Sequence, residues 1–148
     1  MPALESIDLS SNYLKTLPKS LENLTTLKRM ALIANEFTAF PAVVTQIASL
    51  KELDMTNNFV AQMPASIGEM ENLETLNMRG NRLLAMPAEI GQCQNLHTLN
   101  VAYNELLTLP ADIAKLSKLQ TLNIGQNPMT RSEIEKIRSL VPQTRVGF

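Results

Sequence analysis

Asparagines recur in this chain at a fixed interval of 23 residues, each after a short alternation of apolar and polar residues. In the stretch LNMRGNRLLAMP, residues 76–87, that alternation ends at Asn81, between a glycine and an arginine. Leucines and prolines keep the same interval, which is the signature of a repeat solenoid. The periodic residues are Asn12, Asn35, Asn58, Asn81, Asn104 and Asn127, then Leu4, Leu27, Leu50, Leu73, Leu96 and Leu119, and then Pro18, Pro41, Pro64, Pro87 and Pro110.

Each unit contains the pattern of a short strand. The first unit is LESIDLSSNYLKTLPKSLENLTT, residues 4–26, and further units begin at residues 27, 50, 73, 96 and 119. Counting positions from the first residue of a unit, positions 4 and 6 are always apolar, a period of two that predicts a strand with one buried face. One such strand cannot bury that face alone, so we expect the units to stack and form a parallel sheet. The apolar pairs are Ile7 and Leu9, Met30 and Leu32, Leu53 and Met55, Leu76 and Met78, Leu99 and Val101, and Leu122 and Ile124.

The asparagine at position 9 is predicted to be a structural residue of the turn after the strand. Asparagine tolerates a left-handed backbone, and its amide can bond to backbone groups that a tight bend leaves free. A functional role would have to be repeated in all six units. We therefore expect the six side chains to form an internal hydrogen-bonded ladder.

The unit matches LxxLxLxxNxL followed by xxLPxxLxxLxx, and residues 4–129 resemble the leucine-rich repeat family. The resemblance implies an α/β fold, a right-handed horseshoe solenoid with a parallel sheet on the concave face and short helical or irregular turns on the convex face. The 23-residue unit is similar to that of Ras-suppressor and Scribble-type proteins, their plant counterparts and bacterial proteins. It implies a non-catalytic platform for protein recognition, with small GTPases as one class of partner.

The carboxyl end of the chain departs from the repeat. Thr130-Arg-Ser-Glu133 is typical of a capping box that begins a helix, here with Ile134, Ile137 and Leu140 on one face. Alternation returns at residues 145–148, which predicts a last edge strand whose Val146 and Phe148 close the core. We assign residues 1–148 to one leucine-rich repeat domain, with residues 130–148 as its C-terminal cap.

No comparable cap precedes Leu4, which already belongs to a repeat. Terminal repeats usually need capping. We therefore expect that the chain is a segment of a longer protein, or that a partner or a second copy covers the first unit.

Composition and charge argue against several classes of function. Thirteen Lys and Arg against fourteen Asp and Glu give a net charge of -1, so no global basic field attracts nucleic acid or an anionic membrane. No apolar stretch approaches the roughly 18 residues of a membrane span. We expect a cytoplasmic protein, with a secreted or periplasmic one as the alternative if a signal peptide was removed ahead of this numbering.

The residues that would tempt a chemical interpretation fall within the repeat. Cys93, the only cysteine, shares its position with Leu24, Ile47, Met70 and Leu116, which predicts a core residue. His97, the only histidine, lies at a variable polar position. One cysteine and one histidine form no ordinary zinc site or catalytic pair, and no glycine-rich phosphate loop is present. We expect no enzyme, no metal and no cofactor.

Positions 3, 5, 7, 8 and 10 are predicted to face solvent, and they contain the candidate binding residues. Aromatic residues and arginine are enriched at recognition surfaces. In the alternative interpretation, position 10 borders the asparagine turn, so that Phe59 and Tyr13 cover its edge while Glu36, Arg82 and Glu105 pair between units. The asparagines at position 5, Asn77, Asn100 and Asn123, are expected to form a surface ladder. The predicted protein-binding residues are Tyr13, Ile33, Glu36, Phe59, Arg79, Arg82, Tyr103 and Glu105.

Three functions remain open from the sequence. The favoured one is a module whose concave face binds a protein. The second is a regulatory or targeting segment of a larger signalling enzyme, such as a GTPase, a kinase or a ubiquitin ligase. The third is an assembly element that self-associates through the uncapped first unit.

Overall fold

The computed structural model describes residues 3–148, so the first two residues of the predicted domain lie outside the described part. Seven strands form one parallel sheet, and their order in the sheet follows the sequence. Neighbouring repeat strands pair one unit apart, as Leu53 does with Leu76. This arrangement confirms the predicted parallel solenoid. The strands are β1 Ser6–Asp8, β2 Arg29–Ala31, β3 Glu52–Asp54, β4 Thr75–Asn77, β5 Thr98–Asn100, β6 Thr121–Asn123 and β7 Arg145–Gly147.

The hydrophobic core lies behind the sheet, as the period of two predicts. In β4 the central Leu76 is fully buried and its neighbours Thr75 and Asn77 are half-buried. Met78, two residues further on, is also fully buried. The side chains at positions 4 and 6 therefore point inward, which leaves positions 3 and 5 on the outward face of the sheet.

The chain returns from one strand to the next through a short 3₁₀ helix. Each of these helices follows the proline at position 15, whose ring fixes φ near the helical range. In the fourth unit the Pro87 carbonyl accepts a hydrogen bond from the amide of Ile90 at 3.2 Å, and Ile90 is fully buried. The helices are Lys19–Asn23, Ala42–Gln46, Ala65–Glu69, Ala88–Gln92 and Ala111–Lys115.

The asparagines at position 9 form the predicted ladder. The Asn81 amide donates to the carbonyls of Met55 and Met78 at 2.9 and 3.0 Å, and its oxygen accepts from the Val60 amide at 3.0 Å. Two of these three partners belong to the preceding unit, so each side chain joins two coils. Asn81 is 8% exposed.

The left-handed residue of the turn is at position 8, not at position 9 as predicted. In the fourth unit this residue is Gly80, with a φ of 68°. The residue before the asparagine makes the bend, which leaves the asparagine side chain directed into the coil. The other residues with positive φ at this position are Ser11, Ala34, Asn57, Tyr103 and Gln126.

The C-terminal cap consists of helix α1, Arg131–Leu140, and strand β7. The Thr130 hydroxyl accepts from the Glu133 amide at 3.2 Å, and Ile137 is fully buried. Only this half of the capping box forms, because the Glu133 carboxylate accepts hydrogen bonds from Thr108 and Lys136 instead.

The last edge strand confirms one of its two predicted core residues. Val146 packs against the core, whereas Phe148 is 52% exposed. The Arg138 guanidinium carbon lies 4.3 Å from the centre of the Phe148 ring. The strand ends at Gly147, so its alternation does not extend to Phe148, and the prediction that this ring closes the core was wrong.

Candidate functional site

Side chains at position 5, on the outward face of the strands, accept hydrogen bonds from backbone amides of the turn that follows. The Asp54 carboxylate accepts from the Thr56 amide at 2.8 Å, and the Asn77 side chain accepts from the Arg79 amide at 3.2 Å. Ala31 has no side-chain acceptor, and there the Ser10 hydroxyl of the preceding unit accepts from the Ile33 amide. Position 5 therefore stabilises the start of the turn.

The predicted ladder of Asn77, Asn100 and Asn123 on this face does not form, because no hydrogen bond joins these three side chains to one another. The Asn77 amide donates to the Asp54 carboxylate of the neighbouring strand at 3.0 Å. Asn100 and Asn123 instead accept from the amides of Ala102 and Gly125, two residues further along the chain. Short asparagine side chains satisfy these local donors in preference to one another.

The predicted binding residues at positions 7, 8 and 10 lie in the loops that follow the strands. Here Arg79 and Tyr103, from neighbouring units, form a cation–π pair with the guanidinium carbon 4.3 Å from the ring centre. Tyr103 is 50% exposed, so one part of its ring covers the arginine and the rest faces solvent. Its positive φ, 56°, places a large side chain at the sharpest point of the turn.

A second pair of the same kind lies at position 10. The Arg82 guanidinium carbon is 4.8 Å from the centre of the Phe59 ring of the preceding unit. Phe59 remains 41% exposed. No salt bridge to Arg79 or Arg82 is present among residues 3–148. Since stacking occupies the flat face of a guanidinium, the edges of both groups can donate to acceptors of a partner.

Two exposed leucines that were not among the predicted binding residues extend this surface. Leu84 and Leu107 are 56% and 66% exposed, at position 12 of neighbouring units. Position 12 contains Lys15, Thr38 and Ala61 in the first three units, so a leucine there departs from the pattern and could have been noticed. We define the rim patch as Phe59, Arg79, Arg82, Leu84, Tyr103 and Leu107.

The other predicted binding residues do not share the stacked arrangement. Tyr13 is 85% exposed, Ile33 is half-buried and Glu105 is exposed. Glu36 accepts from the Lys15 ammonium at 3.4 Å. The alternative pairing between units forms at Glu36, because its partner Lys15 belongs to the preceding unit. No salt bridge among residues 3–148 includes Arg82 or Glu105, and Arg82 stacks on Phe59 of the preceding unit instead.

Cys93 is confirmed as a core residue. It is fully buried, its thiol donates to the Ile67 carbonyl at 3.2 Å, and burial raises the pKa of the thiol to about 11. The reactive thiolate is therefore scarce at neutral pH. Near His97, the Lys51 ammonium lies 2.6 Å from the Glu74 carboxylate, and this hydrogen bond lowers the pKa of Glu74 below its ordinary value.

Across residues 3–148 there is no group of three or more side chains able to hold a metal ion. None of the helices that these residues form has the length and hydrophobicity of a membrane span.

Comparison with protein families gives two matches. One leucine-rich repeat model matches residues 71–129 and a second matches residues 3–24. No curated protein sequence matches the chain.

Solved structures share the fold. A leucine-rich repeat protein of Leptospira interrogans is 28% identical, with 98% of this chain and 49% of that one covered and a TM-score of 0.59. The PEPR1–AtPEP1 complex contains a chain that is 30% identical, with 85% and 18% covered and a TM-score of 0.77.

The ectodomain of the Arabidopsis thaliana membrane receptor kinase GASSHO1/SCHENGEN3, in complex with Casparian strip integrity factor 2, is 23% identical over 97% of this chain and 18% of that one, with a TM-score of 0.79. Our chain thus spans half or less of each of these proteins.

Proteins with this fold are generally non-catalytic scaffolds, and the fold is a common protein-interaction module. With the asparagine ladder, the parallel sheet and both family models in agreement, the chain belongs to the leucine-rich repeat family.

Proposed function

We propose that this chain is a protein-recognition module and that the rim patch, together with the adjoining outward strand face, binds the partner. The observation that supports the proposal best is the clustering of two cation–π pairs on neighbouring coils, at 4.3 and 4.8 Å. Stacking holds each arginine in place before binding, which lowers the entropy lost when a partner docks.

The exposed leucines supply the apolar part of this surface. Leu84 and Leu107 lie one unit apart, so their backbones are separated by about one strand spacing, roughly 4.8 Å. Contiguous exposed apolar side chains with arginine and aromatic neighbours are typical of binding hot spots. We expect the partner to cover Leu84 and Leu107 and to place hydrogen-bond acceptors against Arg79 and Arg82.

The test is capture of partners from a lysate of the source organism by three forms of the protein. These are the wild type, a rim-patch variant, and a control with equally many substitutions at exposed residues elsewhere. The rim-patch variant is Arg79→Ala, Arg82→Ala, Leu84→Ser and Leu107→Ser, and the control is Ala114→Ser, Lys118→Ala, Gln120→Ala and Arg131→Ala. Circular dichroism first verifies that all three are folded.

We expect a protein that the wild type and the control retain and that the rim-patch variant loses. A partner retained equally by all three forms would show that binding occurs elsewhere on the molecule. Retention by neither wild type nor control would contradict the proposal that the module recognises a soluble protein of that lysate.

Self-association is a second candidate function, and the first unit supports it. Ile7 and Leu9 are half-buried, whereas their equivalents Leu76 and Met78 are fully buried, and Leu4 is 45% exposed. A second copy of the chain that covered this apolar edge would remove it from water. Sedimentation over a range of concentrations tests this candidate, since a protein that remains monomeric throughout would contradict it.

A further inference from the structure

A groove with a volume of about 670 Å³ lies between the first two 3₁₀ helices. Leu17, Phe40, Pro41 and Val43 form its apolar base. This size is in the range of ligand sites in proteins. None of the residues of the rim patch lines it.

Position 19 of the repeat explains why the groove opens here. In the third and fourth units this residue is glycine, and a Cβ on Gly91 would lie 2.5 Å from the Asp112 carbonyl oxygen of the next helix. The later 3₁₀ helices therefore approach one another backbone to backbone. The first two units have Glu22 and Thr45 at this position, whose side chains do not permit such an approach.

The polar side chains of the second 3₁₀ helix that line the groove already have hydrogen-bond partners. The Thr45 hydroxyl lies 2.9 Å from the Ala42 carbonyl and 3.1 Å from the Ser66 hydroxyl. Gln46 donates to the Glu69 carboxylate at 3.2 Å. Because these polar groups bond to one another, we expect the specificity of the groove to come from its apolar base and from the charged residues at its edge.

The charged residues that line the groove are Lys15, Lys19 and Glu22. Lys15 contacts Glu36, which does not line the groove, at 3.4 Å. Lys19 forms no salt bridge with any residue from 3 to 148. An apolar base beside an unpaired ammonium group is complementary to an apolar side chain next to a carboxylate.

We propose that this groove is a second binding site, and that it takes an extended segment of a partner protein in which a large apolar residue adjoins an acidic one. The apolar side chain contacts Phe40 and Val43, and the carboxylate pairs with Lys19. The site is independent of the rim patch and goes beyond the function proposed above, because a partner could occupy either surface alone.

The experiment is an amide NMR titration of the isotope-labelled protein with three tetrapeptides. The probes are acetyl-Glu-Leu-Phe-Glu-amide, its counterpart with lysine in place of glutamate, and its counterpart with serine in place of leucine and phenylalanine. We expect saturable shifts at Ala39, Val43 and Gln46 with the first probe only, at millimolar affinity, and a weaker affinity at higher salt.

Two variants keep the test specific. Lys19→Glu, at an exposed residue, should weaken the first probe at least fivefold and strengthen the lysine probe, while Lys118→Glu should leave both affinities unchanged. Ala39→Trp should fill the groove and abolish the shifts without changing the charge. Equal shifts with all three probes, shifts confined to the rim patch, or no shifts at about 5 mM probe would each overturn the proposal.

Discussion

The first coil and the fourth coil have the same repeat pattern but differ in what their ladder asparagine contacts. Asn81 has two of its three short hydrogen bonds to the preceding coil and is 8% exposed. Asn12 is exposed, and among residues 3–148 it donates to Leu9 and Ser10 of its own unit and to no residue of another coil. The stabilising effect of a repeat residue therefore depends on the coil before it, not on the consensus alone.

The amino-terminal coils and the middle coils also differ in the residue at position 19, which sets how closely their 3₁₀ helices pack. Glycine in the third and fourth coils permits close stacking of the 3₁₀ helices, whereas Glu22 and Thr45 keep the first two helices apart. The 3₁₀ helices in the middle of the solenoid are therefore tightly packed. The amino-terminal part instead has an open groove between its first two 3₁₀ helices and half-buried core residues in its first strand and turn. Small changes at one position redistribute packing along an otherwise uniform repeat.

Alanine at the two ladder positions should give the largest contrast. Asn81→Ala leaves the buried Val60 amide without its acceptor and removes one of two asparagine donors from each of the Met55 and Met78 carbonyls, so we expect a loss of about 3 kcal/mol in the free energy of unfolding. Asn12→Ala removes only exposed hydrogen bonds and should cost less than about 1 kcal/mol. Urea unfolding measures both. Equal losses in the two variants would contradict the dependence on the preceding coil.

Alanine at position 19 tests the stacking of the helices. In Gly91→Ala the new methyl group meets the backbone oxygen of Asp112 at 2.5 Å, so we expect a loss of about 2 kcal/mol. In Gly68→Ala the nearest atom, also at 2.5 Å, belongs to the flexible side chain of Gln92, although the Glu89 carbonyl lies at 2.9 Å. We expect a smaller loss there, about 1 kcal/mol. Thermal unfolding measures the loss of stability in both variants. A larger loss in Gly68→Ala than in Gly91→Ala would contradict this interpretation.

The repeat period was enough to predict the strands, their parallel order, the inward residues and the asparagine ladder, because these depend on features repeated in every unit. Features that occur once were harder to predict. The left-handed residue at position 8 is serine, alanine, asparagine, glycine, tyrosine or glutamine, so composition gave no signal for it. For the candidate site, the sequence predicted that Phe59, Arg79, Arg82 and Tyr103 face solvent but not which of them stack, because the partners of the two arginines depend on side-chain directions between neighbouring coils. Leu84 and Leu107 were not predicted, because position 12 lies outside the strand pattern.

The stability of the cap at the carboxyl end depends on pH. The hydrogen bond from Thr108, and then the charge of Lys136, lowers the pKa of Glu133 below its ordinary value. A lowered folded pKa stabilises the protein above the unfolded pKa of about 4.3, and this contribution is lost as the pH falls through the folded pKa.

Glu133→Gln should therefore destabilise the protein at pH 7 by about 1 kcal/mol and by much less at pH 3. Glu135→Gln is the control, since Glu135 contacts only Arg131 on the surface of α1 and is 61% exposed. Urea midpoints at the two pH values measure the difference. A pH-independent effect of Glu133→Gln would show that the carboxylate charge does not stabilise the cap.

The smallest expected effect separates the stacked tyrosine of the fifth coil from the unstacked one of the first. Tyr103 lies against Arg79, whereas Tyr13 is 85% exposed. A double-mutant cycle of Arg79→Ala and Tyr103→Ala should give a coupling energy of about 0.5 kcal/mol, as expected for an exposed cation–π pair. The matching cycle of Arg79→Ala with Tyr13→Ala should give none. A pair this weak adds little to the stability of the fold, so its value lies in ordering Arg79 before a partner binds. A coupling energy near zero in the first cycle would mean that Arg79 is mobile in the free protein. The proposed advantage of a preordered arginine for binding would then be contradicted.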